Sequence, residues 1–308
     1  MELVHVRQVP FESLSEERID VLLLACSGKK DSNTVLPTFL LSARRKIIMV
    51  FCDEAINRAD FPQEAEVVHF QTDTDINNIR DMLETLCHIY QGDNVKLVID
   101  YTHMHKSILG AIVSFLSLNE FTCNRLTVYF YCAGNSVPEP TLPSSGPVLQ
   151  PILIYENYKF NQRPIALIVE LNSLSMLEQV NELHHTFCPS QMYFFIPSEL
   201  GYQSQTVKLE RYKTAKTIEY NSQDIESLDE TLRLLCRQLR LEYRVVVVSM
   251  GSKVFSMVAF LINARYPDVE VWQYGPAAWV ESPVAGSEDK YVYCAILSDD
   301  FIEDVPKK

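Results

Sequence analysis

Two short stretches of this chain gather hydroxyls, lysines and polar side chains at a spacing suited to holding an anion. One is Asp100-Tyr101-Thr102-His103-Met104-His105-Lys106; the other is Ser249-Met250-Gly251-Ser252-Lys253. In both, a hydroxyl stands four positions before a lysine: Thr102 before Lys106, and Ser249 before Lys253. Each stretch follows a β-branched apolar run, Val95–Ile99 in one case and Val245–Val248 in the other. Each then passes into helical spacing; in the first, Ile108, Ala111, Ile112, Phe115 and Leu116 fall on one face. A strand feeding directly into a helix leaves its loop at the carboxyl edge of a sheet. The N–H groups of the first helical turn favour an anion there. Hydroxyls add donors for phosphate oxygens, and lysine adds compensating charge. The competing reading is that Thr102 and Ser249 only cap the helices that follow.

Two further loops belong to the same edge. Ser27, Gly28 and Lys29 follow the first apolar strand, and Asn172 and Ser173 follow its counterpart later in the chain. Open α/β sheets bind ligands at that edge. His103 and His105 read first as part of an exposed loop; they could also contact a ligand, act as bases or bind a metal, but no third and fourth metal ligand stands at a suitable spacing. No metal or resident cofactor is therefore expected. His184-His185 reads as helix surface, and Trp272 and Trp279 as core or interface residues. The common nucleotide fingerprints are missing. There is no GxGxxG, and Leu23 stands where a Walker loop ending in Gly28-Lys29 needs its first glycine. An ordinary P-loop is excluded.

The elements that must position these loops alternate. Apolar runs at 20–25, 46–51, 66–70, 95–99 and 126–132 predict strands, with helices predicted over about 34–44, 73–87 and 108–116. Residues 135–151, rich in proline and serine, predict a loop, and 152–155 one more strand. The order then starts again. Strands are predicted at 165–169, 192–196, 245–248, 269–274 and 291–297, and DIESLDETLRLLC (224–236) answers DINNIRDMLETLC (75–87). Corresponding elements lie about 143–149 residues apart, which favours a tandem duplication over two unrelated α/β domains. The expected fold is α/β: two tandem Rossmann-like domains, each a mostly parallel sheet flanked by helices. The expected boundaries are an extension at 1–16, a first domain at 17–158 and a second at 159–308. Leu3–Val6 within the extension is either an edge strand or loose.

Composition narrows the partners. The chain has 308 residues and a formal net charge of -13, so a duplex nucleic acid would be repelled without a local basic patch. The longest basic clusters are Lys29-Lys30 and Arg44-Arg45-Lys46, and general duplex DNA binding is not expected. No apolar run approaches the roughly 20 residues of a membrane helix. The N-terminal residues are acidic where a secretory signal would be basic and then apolar, so a cytoplasmic location is expected. Of the eight cysteines, Cys26, Cys52, Cys87, Cys132, Cys236 and Cys294 lie in or beside apolar runs without a CxxC pair, as buried free thiols do.

The two loops also resemble a known motif. Asp100-Tyr101-Thr102-His103-Met104-His105-Lys106 resembles the D-x-T-G-G-T-K loop of CRISPR-associated Rossmann-fold (CARF) domains, and Ser249-Met250-Gly251-Ser252-Lys253 resembles its T-G-G-T-K core. His103 and Met104 replace the paired glycines, and Val247 stands where a second aspartate belongs. The resemblance implies a nucleotide sensor of prokaryotic antiviral defence. Two CARF-like halves, as in the related SAVED sensors, would bind an anionic nucleotide, a cyclic oligonucleotide among the candidates. They would then signal to a separate effector protein. Two alternatives remain open: a non-catalytic scaffold subunit of a defence complex, and a ring nuclease or N-glycosidic hydrolase. In the enzyme, Lys106 and Lys253 would stabilise phosphoryl charge, and Ser27, His103 or His105 would activate a hydroxyl.

Overall fold

The computed structural model describes residues 2–26, 43–50, 63–69, 79–84, 94–102, 104–118, 123–133, 147–151, 162–171, 176–198, 212, 215–276 and 290–298. The first half of the chain forms β1 (Glu2–Gln8), a 3-10 helix (Phe11–Glu16), β2 (Val21–Cys26), β3 (Arg45–Val50) and β4 (Glu66–His69). It continues with β5 (Asn94–Asp100), α1 (Lys106–Leu118) and β6 (Arg125–Ala133). Residues 79–84 are also helical. Next come β7 (Pro147–Pro151), β8 (Ile165–Glu170), α2 (Leu177–Phe187), β9 (Gln191–Pro197), β10 (Lys216–Tyr220) and α3 (Ile225–Leu239). The last elements are β11 (Arg244–Ser249), α4 (Lys253–Arg265), β12 (Glu270–Pro276) and β13 (Lys290–Ser298).

Two compact units result, one of Met1–Gly134 with Glu288–Lys308, the other of Asn135–Ser287. The first contains a seven-stranded mixed sheet ordered β1-β13-β6-β5-β2-β3-β4. Its strands β2 to β6 are parallel, and β13 and β1 add antiparallel at one side. The second contains a six-stranded sheet ordered β10-β9-β8-β11-β12-β7, parallel except for β7. Within each parallel set, the first strand lies beside the fourth, the Rossmann-like arrangement whose switch point falls between β2 and β5 and between β8 and β11. Strands buried on both faces read as continuous apolar runs, which is why Val95–Ile99 and Val245–Val248 were legible.

Three expectations need correction. Residues 147–151 are strand, not loop: β7 lies at a sheet edge, where the missing N–H groups of Pro147 and Pro151 are tolerable. The strand at 291–297 does not complete the second sheet. As β13 it pairs with β6 from Lys290↔Ala133 to Ser298↔Arg125 and with β1 on its other side. Consequently the units part at 134/135 and 287/288 rather than at 158/159, because backbone pairing carries β7 and β13 into the sheet opposite to their place in sequence. The strand option at the N-terminus is the one realised, as β1. Strand β10, Lys-Thr-Ile-Glu-Tyr, was not anticipated; its short alternation is a weak signal. Residues 34–42 of the expected helix and the strand at 152–155 lie outside the described residues, and Ala43 and Arg44 are not helical.

The cores follow from these layers. In the first unit Leu14 of the 3-10 helix packs with Leu22, Val98, Tyr129, Tyr131, Val292, Cys294 and Ile296. In the second, Val180, Leu183 and Phe187 of α2 pack against Leu167, Val169, Phe194, Val246 and Val248. Helices α1 and α4 are not one-faced. Leu109 and Val113 are buried along with the predicted stripe, and every residue of α4 from Val254 to Asn263 is buried. Helices apolar all round sit in the interior of a protein.

Candidate functional site

In the first unit, Asp100 ends β5 and turns the chain. Its Oδ1 accepts the N–H of Thr102 at 2.9 Å, an Asx-type turn. Thr102 Oγ1 accepts the N–H of Ala133 at 2.9 Å, and the N–H of Tyr101 reaches the carbonyl of Tyr131 at 3.0 Å. The loop is thereby stitched to the end of β6. Thr102 therefore fastens the loop rather than capping α1, and both Asp100 and Thr102 are buried. Burial, followed by the nearby Asp100 carboxylate, pushes the Tyr131 phenol well above its ordinary range. Half-buried His105 precedes the helix, its Nδ1 2.6 Å from Ser107 Oγ. Lys106 is the first residue of α1 and is half-buried.

The second unit repeats the geometry with different fastenings. Ser249 ends β11 and is fully buried. Its Oγ donates to Glu170 Oε2 at 3.1 Å and lies 2.6 Å from Ser256 Oγ. Ser256 Oγ also donates to the carbonyl of Ser252 at 2.7 Å. Ser252 is the N-cap of α4, its Oγ accepting the N–H of Phe255 at 3.1 Å. Capping thus falls to Ser252, and Ser249 serves a buried network. Gly251 and Lys253 are half-buried, and Lys253 is the first residue of α4.

Glu170 is the residue that sequence reasoning missed. It ends β8, beside β11 at the switch point, with no exposed surface. The Tyr220 hydroxyl donates to its Oε1 at 3.0 Å, opposite the donation from Ser249. Rings of Phe195, Tyr220 and Phe255 surround this end of the network, with centroids 5.6 to 6.3 Å apart. The available signal was a carboxylate closing an otherwise apolar strand, Ile-Ala-Leu-Ile-Val-Glu.

The structure therefore joins Asp100 with Thr102 in one loop, and Ser249 with Ser252 through Ser256 in the other. Lys106 and Lys253 occupy equivalent first-helical positions. Ser27, Gly28, Lys29, His103, Asn172 and Ser173 lie outside the described residues. What the arrangement offers chemically is a helix N-terminus with an adjacent lysine in each unit, beside a rigidly fastened strand end. Among the described residues, no three or more His, Cys, Asp or Glu side chains are grouped to hold a metal ion, and no helix is long and apolar enough to cross a membrane. His184 and His185 are exposed on α2, and Trp272 packs edge-on against Phe187. Cys123, Cys132, Cys236 and Cys294 are buried and outside any disulfide, and burial raises the pKa of Cys236 and Cys294. No protein-family model matches this chain, and no curated protein matches it.

Proposed function

We propose that this chain is a non-catalytic sensor that binds an anionic nucleotide at the carboxyl edges of its sheets and signals to a separate protein in antiviral defence. The observation that carries the reading is the shared placement of Lys106 and Lys253. Each is the first residue of the helix that follows the strand beside the switch point. Such a position sets a fixed cation next to a helix dipole, and open α/β sheets bind ligands there. The shared strand order also supports descent from two CARF-like copies. A second reading, a scaffold that has lost its ligand, is favoured by one observation: the hydroxyls of Thr102, Ser249 and Ser252 are engaged inside the protein.

A thermal-shift panel of cyclic and linear oligoadenylates and mononucleotides separates the readings. A sensor is stabilised by at least one of them and returns it intact; about 2.7 kcal/mol is expected at a hundredfold excess over Kd. A ring nuclease consumes the ligand, visible by chromatography of the incubated nucleotide. A scaffold shows no shift with any of them.

A further inference from the structure

The two sequence halves each lack a strand that the other half holds. β6 belongs to the first half and is covered along its whole length by β13 of the second, from Lys290↔Ala133 to Ser298↔Arg125. β12 belongs to the second half and is covered by β7 of the first, from Pro147↔Pro276 to Pro151↔Trp272. β13 is an interior strand, with β1 on its far side, and Val292 to Leu297 are all buried. Without it, β6 would present an open edge flanked by Leu126, Val128, Tyr129, Phe130 and Tyr131, all buried here. Open apolar edges invite pairing with any available strand. We infer that residues 1–158 and 159–308 are obligate partners: each half's open sheet edge is a docking surface whose occupant is the terminal strand of the other half of the same chain. The mode is strand addition, in which main-chain hydrogen bonds supply affinity and register supplies selectivity. The exchange is mutual, since both crossing strands add antiparallel to the last parallel strand of a sheet. This inference is independent of any ligand.

The test uses the full chain with a protease site placed between residues 158 and 159. Tyr291→Cys sets a thiol opposite the native Cys132 in the β13–β6 register, where directly paired Cα atoms lie within disulfide reach. After folding, mild oxidation and cleavage, a denaturing gel without reductant should show one species of full chain mass, resolved into two fragments by reductant. Adding Cys132→Ala should abolish it. A second variant, Leu149→Cys with Tyr274→Cys, bridges β7 and β12 across the same cut and reads the other crossing. Separate fragments without reductant in both variants would overturn the inference. So would a cross-linked species of twice the chain mass, because the donated strand would then come from a second copy.

Discussion

At the scale of single residues, the second unit is organised by a carboxyl group with no exposed surface. Glu170 receives hydroxyls from Tyr220 and Ser249, and burying a carboxyl group is tolerable only with such partners. Glu170→Ala removes the acceptor for both and is expected to cost about 2–4 kcal/mol in urea denaturation, with Glu170→Gln costing less. A loss below about 0.5 kcal/mol for the alanine variant would contradict the network. Ser252→Ala should cost about 1 kcal/mol through loss of the cap, whereas Ser252→Gly should cost only a few tenths. In the first unit, the Lys96 ammonium beside Glu17 holds its carboxyl below the ordinary carboxylate range, with burial opposing it. A depressed acid stabilises the fold above its unfolded pKa, and that contribution is lost as pH falls through the folded value. Stability measured from pH 7 downward should therefore decline less for Glu17→Gln than for the parent. None of these partnerships was legible in the sequence. Residue types suggested hydroxyls facing a ligand, yet Thr102 reaches Ala133 and Ser249 reaches Glu170. Both contacts join segments far apart in the chain, and spacing carries no information about them.

At the scale of elements, local pattern and non-local pairing had different visibility. The apolar runs that became β2, β3, β5, β6, β8, β9 and β11 were legible because a strand buried on both faces needs no alternation. Helix α3 was legible because residues 224–236 answer the helical pattern at 75–87; in the structure the Asp224 carboxylate accepts the N–H of Ser227 at 3.0 Å, and Leu228, Leu232 and Cys236 are buried. Strand β7 was hidden by its prolines, which mark loops as readily as edge strands. The destination of β13 was hidden because nothing local distinguishes an antiparallel partner in one sheet from a parallel neighbour in another. Interior placement gives β13 a measurable consequence. Ala295→Pro should remove a ladder donor and add ring volume to a fully buried position. A cost of about 2–5 kcal/mol is expected from a buried carbonyl left unpaired and from overpacking. Guanidinium unfolding measures it, and a cost under about 1 kcal/mol would mean that β13 lies at an edge.

At the scale of the whole molecule, two units with the same parallel strand order each present a helix that starts with lysine beside the switch point. The overall charge of -13 opposes broad attraction of polyanions, so the anion binding proposed above would be local, at built positions rather than over a surface. Lys106 and Lys253 are half-buried first-helical residues, and their replacement should remove binding while leaving the internally bonded Thr102, Ser249 and Ser252 in place. Equilibrium titration of the full chain with cyclic oligoadenylates, comparing the parent with Lys106→Ala, Lys253→Ala and the double variant, tests the account most directly. Saturable binding by the parent, reduced in affinity or stoichiometry in each single variant and lost in the double variant at unchanged melting temperature, is the expected result. Parent-like affinity in the double variant, or no binding by a folded parent, would contradict it.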